Sequence, residues 1–324
     1  MSNQKSKSTI LYLLNFFSRR SLTASRIFSR CLSFLINTLH LTKTSKIIDL
    51  NLKIALPELD DANRELITRR AIQNEMMSYM EFFHIWGSQT KQNIQRVHKI
   101  HQEYLLHEAL AQQKGVVLVV PHFGTWEIMN TWVAQYTQMT IMYKPIKNPI
   151  ADEFVRAARS RERAHLVPTD ESGVRQIFKA LKKGGTTVIL PDHTPHHGAD
   201  MIPYFDLPLF SSNLSAKLIQ KTQAKGLFLY ALRNENEGFD MYIEEIDPMI
   251  YEVSADEGTH LIFKAQENLI RQRPEHYHWS YKRFSANPSL KRIYDIAPTE
   301  ALAQITQVRN DYLTHQTTIN QIEV

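Results

Sequence analysis

From Val116 to Arg271, short β-branched or aromatic runs alternate with helix-length amphipathic stretches, and this alternation constrains the fold more than any other feature of the chain. The strand-like segments are Val116–Val120, Met139–Tyr143, Ala164–Val167, Thr186–Leu190, Leu227–Leu232 and Asp240–Ile246. Helix-like segments lie near Ile150–Arg163, Gly173–Lys183, Asn213–Lys225 and Thr259–Arg271. Interleaving a period of two with a period of 3.6 predicts an α/β fold, a mixed, mostly parallel central sheet flanked by helices.

Upstream, residues near Asp61 to Trp86 read as a long amphipathic helix carrying Ile67, Ile72, Met76, Met77, Met80 and Phe83. Core packing explains most of this face, although the same chemistry suits an acyl-chain groove. A polar amphipathic helix is expected near Thr299 to Gln316. The chain thus divides by sequence character into an N-terminal helical segment (1–45), an α/β domain (46–285) and a C-terminal, helical extension (286–324).

The N-terminal segment has a pattern of its own. Lys5 and Lys7 precede the run from Ile10 to Phe17, and Arg19, Arg20, Arg26 and Arg30 punctuate the approach to a second run from Leu32 to Leu41. Neither run reaches the roughly 18 to 20 residues that span a bilayer. No small-x-small cleavage site precedes the arginines, which argues against a secretory signal. Apolar faces with basic edges predict helices lying on an anionic membrane surface; an ordinary helical cap with buried leucines is the alternative.

Composition bounds the setting. Lys and Arg exceed Asp and Glu by 38 to 33. That margin favours anionic partners in general without choosing among nucleic acid, membrane surface, phosphorylated substrate and acidic carrier protein. A single cysteine, Cys31, excludes an intrachain disulfide and agrees with a reducing compartment.

The chemistry concentrates at His122-Phe123-Gly124-Thr125-Trp126-Glu127, directly after the first apolar run and Pro121. The spacing predicts a strand ending in a loop, with Thr125 capping a helix that begins near Trp126. His122 then lies in the loop and Glu127 in the first helical turn, where the helix dipole favours a carboxylate. Five residues across such a turn let the side chains converge, with a carboxylate oxygen taking the imidazole Nδ1 proton and leaving Nε2 as a base. A satisfied core histidine beside an ordinary first-turn acid is the competing reading. Gly124 is the residue that lets backbone approach a ligand.

No Gly-x-Ser-x-Gly elbow, Walker-type loop or Gly-x-Gly-x-x-Gly fingerprint occurs. Cys31 lies far from the histidine in sequence. What remains is a base that deprotonates a hydroxyl or a water directly, with no covalent intermediate and no cofactor.

Three further stretches could carry chemistry. Lys144 and Lys147 on the proline-stiffened segment Tyr143–Pro149 form a candidate anion clamp. Arg156, Arg159 and Arg163 recur on one helix face and are candidates for an oxyanion or a phosphate, against the usual solvated basic face. Pro191-Asp192-His193-Thr194-Pro195-His196-His197-Gly198-Ala199-Asp200 offers metal-ligating side chains, but on one loop whose spacing alone does not assemble a coordination shell, so no metal is expected.

Taken in order, the His122–Glu127 motif, Tyr143-Lys-Pro-Ile-Lys-Asn-Pro149, Arg159, the strand ending in Pro191-Asp192 and Tyr277-His-Trp-Ser-Tyr-Lys-Arg-Phe284 resemble the lipid A biosynthesis late acyltransferases. Asn51-Leu52 and Leu56-Pro57-Glu58 add to the resemblance, which covers roughly residues 10 to 285. It implies a bacterial inner-membrane enzyme with a cytoplasmic catalytic face. The implied reaction moves a lauroyl or myristoyl chain from acyl carrier protein to a hydroxyl of a Kdo-bearing lipid A precursor, with the membrane as third partner and no role for nucleic acid. By the match His122 is the general base, Glu127 its orienting partner, Arg159 an oxyanion or phosphate ligand, and Asp192 the acidic residue after the later strand. The chain departs from the family pattern at His193, where glutamine is common, and at Tyr204-Phe205-Asp206, which replaces a Phe-Phe-Gly loop. A membrane-associated thioesterase or a metal-dependent hydrolase using the same dyad on water is the alternative.

Overall fold

The computed structural model describes residues 12, 14–39, 42–195, 198–235 and 237–322. Lys5, Lys7, Ile10, Leu41, His196 and His197, named above, lie outside them.

In chain order the elements are α1 (Leu22–Leu39), α2 (Thr44–Ala55), α3 (Asp61–Gly87), α4 (Thr90–Gln95), β1 (Val97–His101), α5 (Tyr104–Ala111), β2 (Val116–Val119), α6 (Glu127–Val133) and β3 (Met139–Met142). There follow α7 (Pro149–Arg161), β4 (His165–Val167), α8 (Glu171–Lys182), β5 (Thr186–Ile189), β6 (Ala199–Tyr204), β7 (Leu207–Ser212), α9 (Leu214–Thr222), β8 (Lys225–Arg233), β9 (Phe239–Glu245), α10 (Ala255–Gln272) and α11 (Pro298–Ile322). The chain forms two compact units assembled from interleaved stretches: residues 1–34, 73–190 and 218–246 in one, and 35–72, 191–217 and 247–324 in the other.

The first unit holds a seven-stranded sheet of order β1-β9-β8-β2-β5-β3-β4. Every neighbouring pair is parallel except β8 with β9, which is the mixed, mostly parallel sheet expected. β2 lies between β5 and β8, with Val116 opposite Thr186 on one side and Lys225 on the other. All four of its residues are buried, as an uninterrupted aliphatic run requires of a parallel strand covered on both faces. Around it pack Leu106, Ile128, Leu229, Met241 and Ile243, each fully buried. The edge strand β1, Val-His-Lys-Ile-His, has no apolar run and no fully buried residue, so nothing in its sequence marks it as a strand.

Two expectations for local structure are corrected. The helix predicted through Arg163 ends at Arg161, and Arg163 itself takes the left-handed conformation at φ 57°, so it leaves the face carrying Arg156 and Arg159. Thr125 does not cap the helix after β2. The cap position of α6 is Trp126, without a side-chain bond, and the Thr125 hydroxyl turns inward to donate to Glu81.

Along much of α1 the usual amphipathic order is inverted. Ser25, Arg26, Ser29 and Ser33 face inward and are buried, whereas Ile27, Phe28, Phe34 and Leu35 are exposed. Arg26 forms an ion pair with Glu81 at 2.7 Å. Among the described residues no helix is long and apolar enough to cross a membrane.

The second unit contains the β6–β7 hairpin. Phe205 and Asp206 both have positive φ, at 51° and 58°, the signature of a two-residue type I′ turn in a sequence lacking the usual Asn-Gly. The Phe205 N–H donates to the buried Glu267 carboxylate at 2.7 Å, which supports this conformation. α11 buries Ala301 and Ile305, and Arg309 donates to the carbonyls of Ile54 and Phe205 at 2.8 and 3.3 Å.

Candidate active site

The chain leaves β2 through Val120 and Pro121 and folds back against β8. At Gly124, φ is +61° and a Cβ would lie 2.1 Å from the Ala231 carbonyl oxygen, so no other residue fits without displacing one strand. The Thr125 N–H donates to that same oxygen at 2.9 Å. The close approach that glycine allows is therefore to β8, not to a ligand. This turn delivers His122 to the loop and Glu127 to the first residue of α6.

His122 is half-buried, its ring edge-on to Trp126 with centroids 4.9 Å apart. Phe82 packs on Trp126 at 4.6 Å and on Trp86 at 5.8 Å, making an aromatic wall. The Glu127 carboxylate is buried and held from two sides. Oε1 accepts from Arg159 Nη2 at 2.7 Å, and Oε2 accepts from Trp86 Nε1 at 2.9 Å and Asn130 Nδ2 at 3.4 Å. A recess of about 220 Å³, counting the solvent at its mouth, adjoins the carboxylate and is lined by Trp86, Glu127, Asn130, Ala158, Arg159 and Glu162.

Arg159 reaches Glu127 from α7, whose start is fixed by Asn148 accepting from the N–H groups of Ile150 and Ala151. Its guanidinium also lies 5.3 Å from the Tyr143 ring, with Arg156 over the same ring at 5.8 Å. The Tyr143 hydroxyl donates to Asp152 at 2.7 Å, and burial together with that bond pushes it up to about 12. Of the predicted cations, then, Arg159 joins Glu127 and Arg156 shares its aromatic support. Lys144 and Arg163 are exposed on the loops before and after α7.

Asp192 belongs to the second unit. It is fully buried and accepts from Gln266 Nε2 at 3.2 Å. Burial, with the Asp192 charge nearby, pushes the hydroxyls of Tyr204 and Tyr277 well above their ordinary range. The adjoining motif residues converge in this unit. Tyr281 accepts from the Thr194 N–H at 3.0 Å and stacks on His193 at 3.9 Å, while Arg283 donates to the Phe210 carbonyl at 3.0 Å. Asn51 donates to the carbonyls of Trp279 and Tyr281 at 2.6 and 3.0 Å. Among the described residues no cluster of His, Cys, Asp or Glu could hold a metal ion.

Sequence reasoning missed Glu81, Arg233, Trp86 and Asn130. Glu81 is fully buried and takes hydrogen bonds from Arg26, Arg233 and Thr125. A lone carboxylate within Met-Ser-Tyr-Met-Glu-Phe-Phe was the available signal, since a charge in an apolar helix stretch is buried only with partners. Burial alone would raise its pKa, but Arg233 and Arg26 outweigh it and hold the carboxyl below its ordinary value.

The fold and site define an open α/β protein whose candidate site, a histidine and an arginine-anchored glutamate, lies just beyond the carboxyl end of an interior strand, where ligands bind in such sheets. The family described as bacterial lipid A biosynthesis acyltransferase matches residues 8–286, and the chain belongs to it. It is 23% identical to the lipid A biosynthesis lauroyltransferase of Escherichia coli K12 over 249 residues, 76% of this chain and 80% of that protein. It is 24% identical to a lipid A biosynthesis acyltransferase of Haemophilus influenzae over 251 residues, covering 76% of this chain and 79% of the relative. A lipid A biosynthesis palmitoleoyltransferase of Escherichia coli K12 is 24% identical over 187 residues, 56% of this chain and 60% of the relative.

Proposed function

We propose that this protein transfers a lauroyl or myristoyl chain from acyl carrier protein to a hydroxyl on a primary acyl chain of a Kdo-bearing lipid A precursor, at the cytoplasmic face of a bacterial inner membrane. The observation that carries the reading is the strand-end loop that holds His122 against Trp126 and runs into Glu127, whose carboxylate Arg159 anchors at 2.7 Å. His122 Nε2 removes the acceptor hydroxyl proton as its oxygen attacks the thioester carbonyl. The C–O bond forms, the tetrahedral intermediate collapses with loss of the carrier thiolate, and the imidazolium returns the proton to that sulfur. Each carboxylate oxygen has two lone pairs, so Glu127 can accept an imidazole N–H while Arg159 keeps its hold. Lys144, Arg156 and Arg163 are assigned to substrate phosphates or to the acidic carrier, and Asp192 to the support of the second unit's motif loop. No step uses a cofactor or a metal.

The membrane part of the reading is supported by α1, where Ile27, Phe28, Phe34 and Leu35 face outward and Ser25, Arg26, Ser29 and Ser33 face in. An apolar face edged by Arg19, Arg20 and Arg30 suits the surface of an anionic leaflet. The test is an assay of the full chain in detergent with acyl carrier proteins of several chain lengths and lipid A precursor, read by mass spectrometry of the lipid. Acylated lipid, abolished by His122→Ala in a folded protein, is expected. Free fatty acid alone would favour a thioesterase or a metal-dependent hydrolase, the second distinguished by loss of activity on chelation.

A further inference from the structure

The loop carrying the site is tied at its centre to a buried charge cluster that the reaction above does not use. Glu81 on α3 accepts from Arg26 Nε at 2.7 Å, from Arg233 Nη2 at 3.0 Å and from the Thr125 hydroxyl at 2.6 Å. Arg233, the last residue of β8, also donates to the Asn74 side chain at 2.6 Å and to the Ser78 hydroxyl at 2.8 Å. Ser78 in turn donates to the Gly124 carbonyl at 2.9 Å. Two adjacent loop residues are thus held by side chains from one helix, and that helix is locked to α1 and β8 by a single carboxylate shared between two arginines.

We propose that Glu81 is a positioning residue for acyl transfer: acting through Thr125, with Arg233 and Arg26 balancing its charge, it fixes the loop that aims His122 and Glu127. The proposal rests on the reading that these two residues form the site. Thr125 lies three residues after His122 and two before Glu127, so freeing its side chain lets the turn drift at both ends. Tethering by three elements suits a loop whose two functional residues must stay in register through a proton transfer. Arg26 makes α1 part of the scaffold of the site, so the helix with the outward apolar face also reaches the chemistry through Glu81.

The hydroxyl of Thr125 is the point at which positioning can be separated from folding, because removing it leaves Glu81 with both arginines. With lauroyl-acyl carrier protein and lipid A precursor, Thr125→Val is expected to lower kcat by about tenfold to hundredfold, the size of loss a misplacement near 1 Å produces. KM for both substrates and the melting temperature are expected to stay close to wild type, and Thr125→Ser to restore most of kcat. Ser78→Ala, which releases the Gly124 carbonyl, is expected to lower kcat in the same sense, and serves if Thr125→Val does not fold. A Thr125→Val or Ser78→Ala protein with wild-type kcat, or a Thr125→Ser protein no better than the valine variant, overturns the positioning role. His122→Ala, run alongside, separates the two claims. If it retains full activity the site reading fails; if it is inactive while Thr125→Val is normal, only the positioning role fails.

Discussion

Arg159 on α7 and Glu127 at the start of α6 meet at 2.7 Å, with side chains 19% and 5% exposed. Thirty-two residues separate them, and each was read from the sequence as serving a different purpose, one as an anion ligand and the other as the orienter of His122. Their contact makes the glutamate the centre of the arrangement: an arginine, a tryptophan and an asparagine hold it before any substrate arrives.

Breaking that pair should therefore act on turnover. A partly buried charge-assisted bond contributes about 1.5 to 3 kcal/mol, so Arg159→Ala is expected to lower both the melting temperature and kcat. Arg159→Lys keeps the charge but loses the planar fork and is expected to recover only part of kcat. Steady-state kinetics of the two variants beside Glu127→Gln check this. Near-wild-type kcat in Arg159→Ala would remove the pair from the mechanism.

Gly124→Ala is expected to be the most damaging single methyl in the loop, because the added carbon meets the Ala231 carbonyl oxygen at 2.1 Å and the backbone stands at φ +61°. Gly198 is the control: its φ is +65°, but nothing lies within 4 Å of the position a Cβ would take. The conformational penalty alone is about 1–2 kcal/mol, so Gly198→Ala should lose about that much and Gly124→Ala clearly more. Denaturant unfolding of both proteins measures the difference.

His84 supplies a pH dependence. Burial, with Arg96 adding to it, pulls its titration down from 6.5 to about 4. The neutral ring can make both of its contacts, with Nδ1 against the Arg20 carbonyl at 2.7 Å and Nε2 against the Ser88 hydroxyl at 3.3 Å. The unfolded chain protonates this group near 6.5 and the folded chain only near 4, so unfolding takes up a proton between those values. Stability is full above pH 6.5 and declines as pH falls toward 4. Melting temperatures from pH 7.5 to 4.5 should fall less steeply in His84→Gln than in wild type. Parallel curves would show that this histidine does not drive the effect.

The outward face of α1 gives a binding prediction. Ile27 and Phe34 are 53% and 67% exposed, and burying one such side chain stabilises association by about 1.5–3 kcal/mol. Ile27→Ser with Phe34→Ser should leave the melting temperature unchanged and weaken cosedimentation with anionic vesicles by more than about tenfold. Deleting α1 outright is a different experiment. It also removes Arg26 from the buried Glu81, so acyl transfer and thioester hydrolysis should both be lost.

What was legible in the sequence was whatever depends on runs and short spacings. β2, β3, β5, β8 and β9 announce themselves through aliphatic or aromatic stretches, and the His122–Glu127 motif through its place after the first of them. β1 was invisible because Val-His-Lys-Ile-His pairs as an edge strand without needing a buried face. The hairpin at Phe205-Asp206 was invisible because its positive φ values are imposed by partners such as Glu267 and not by the residue types.

By itself the sequence determined the α/β architecture and the strand-end loop, because hydrophobic period and a motif that directly follows an apolar run are properties of neighbours along the chain. Only the tertiary structure decided which charges meet. Glu127 with Arg159, and Glu81 with Arg26, Arg233 and Thr125, are separated by 32, 55, 152 and 44 residues, and no local pattern encodes them. A buried carboxylate must find its cations wherever the fold brings them, and that choice belongs to packing, where the cost of an unpaired charge is charged against the whole structure.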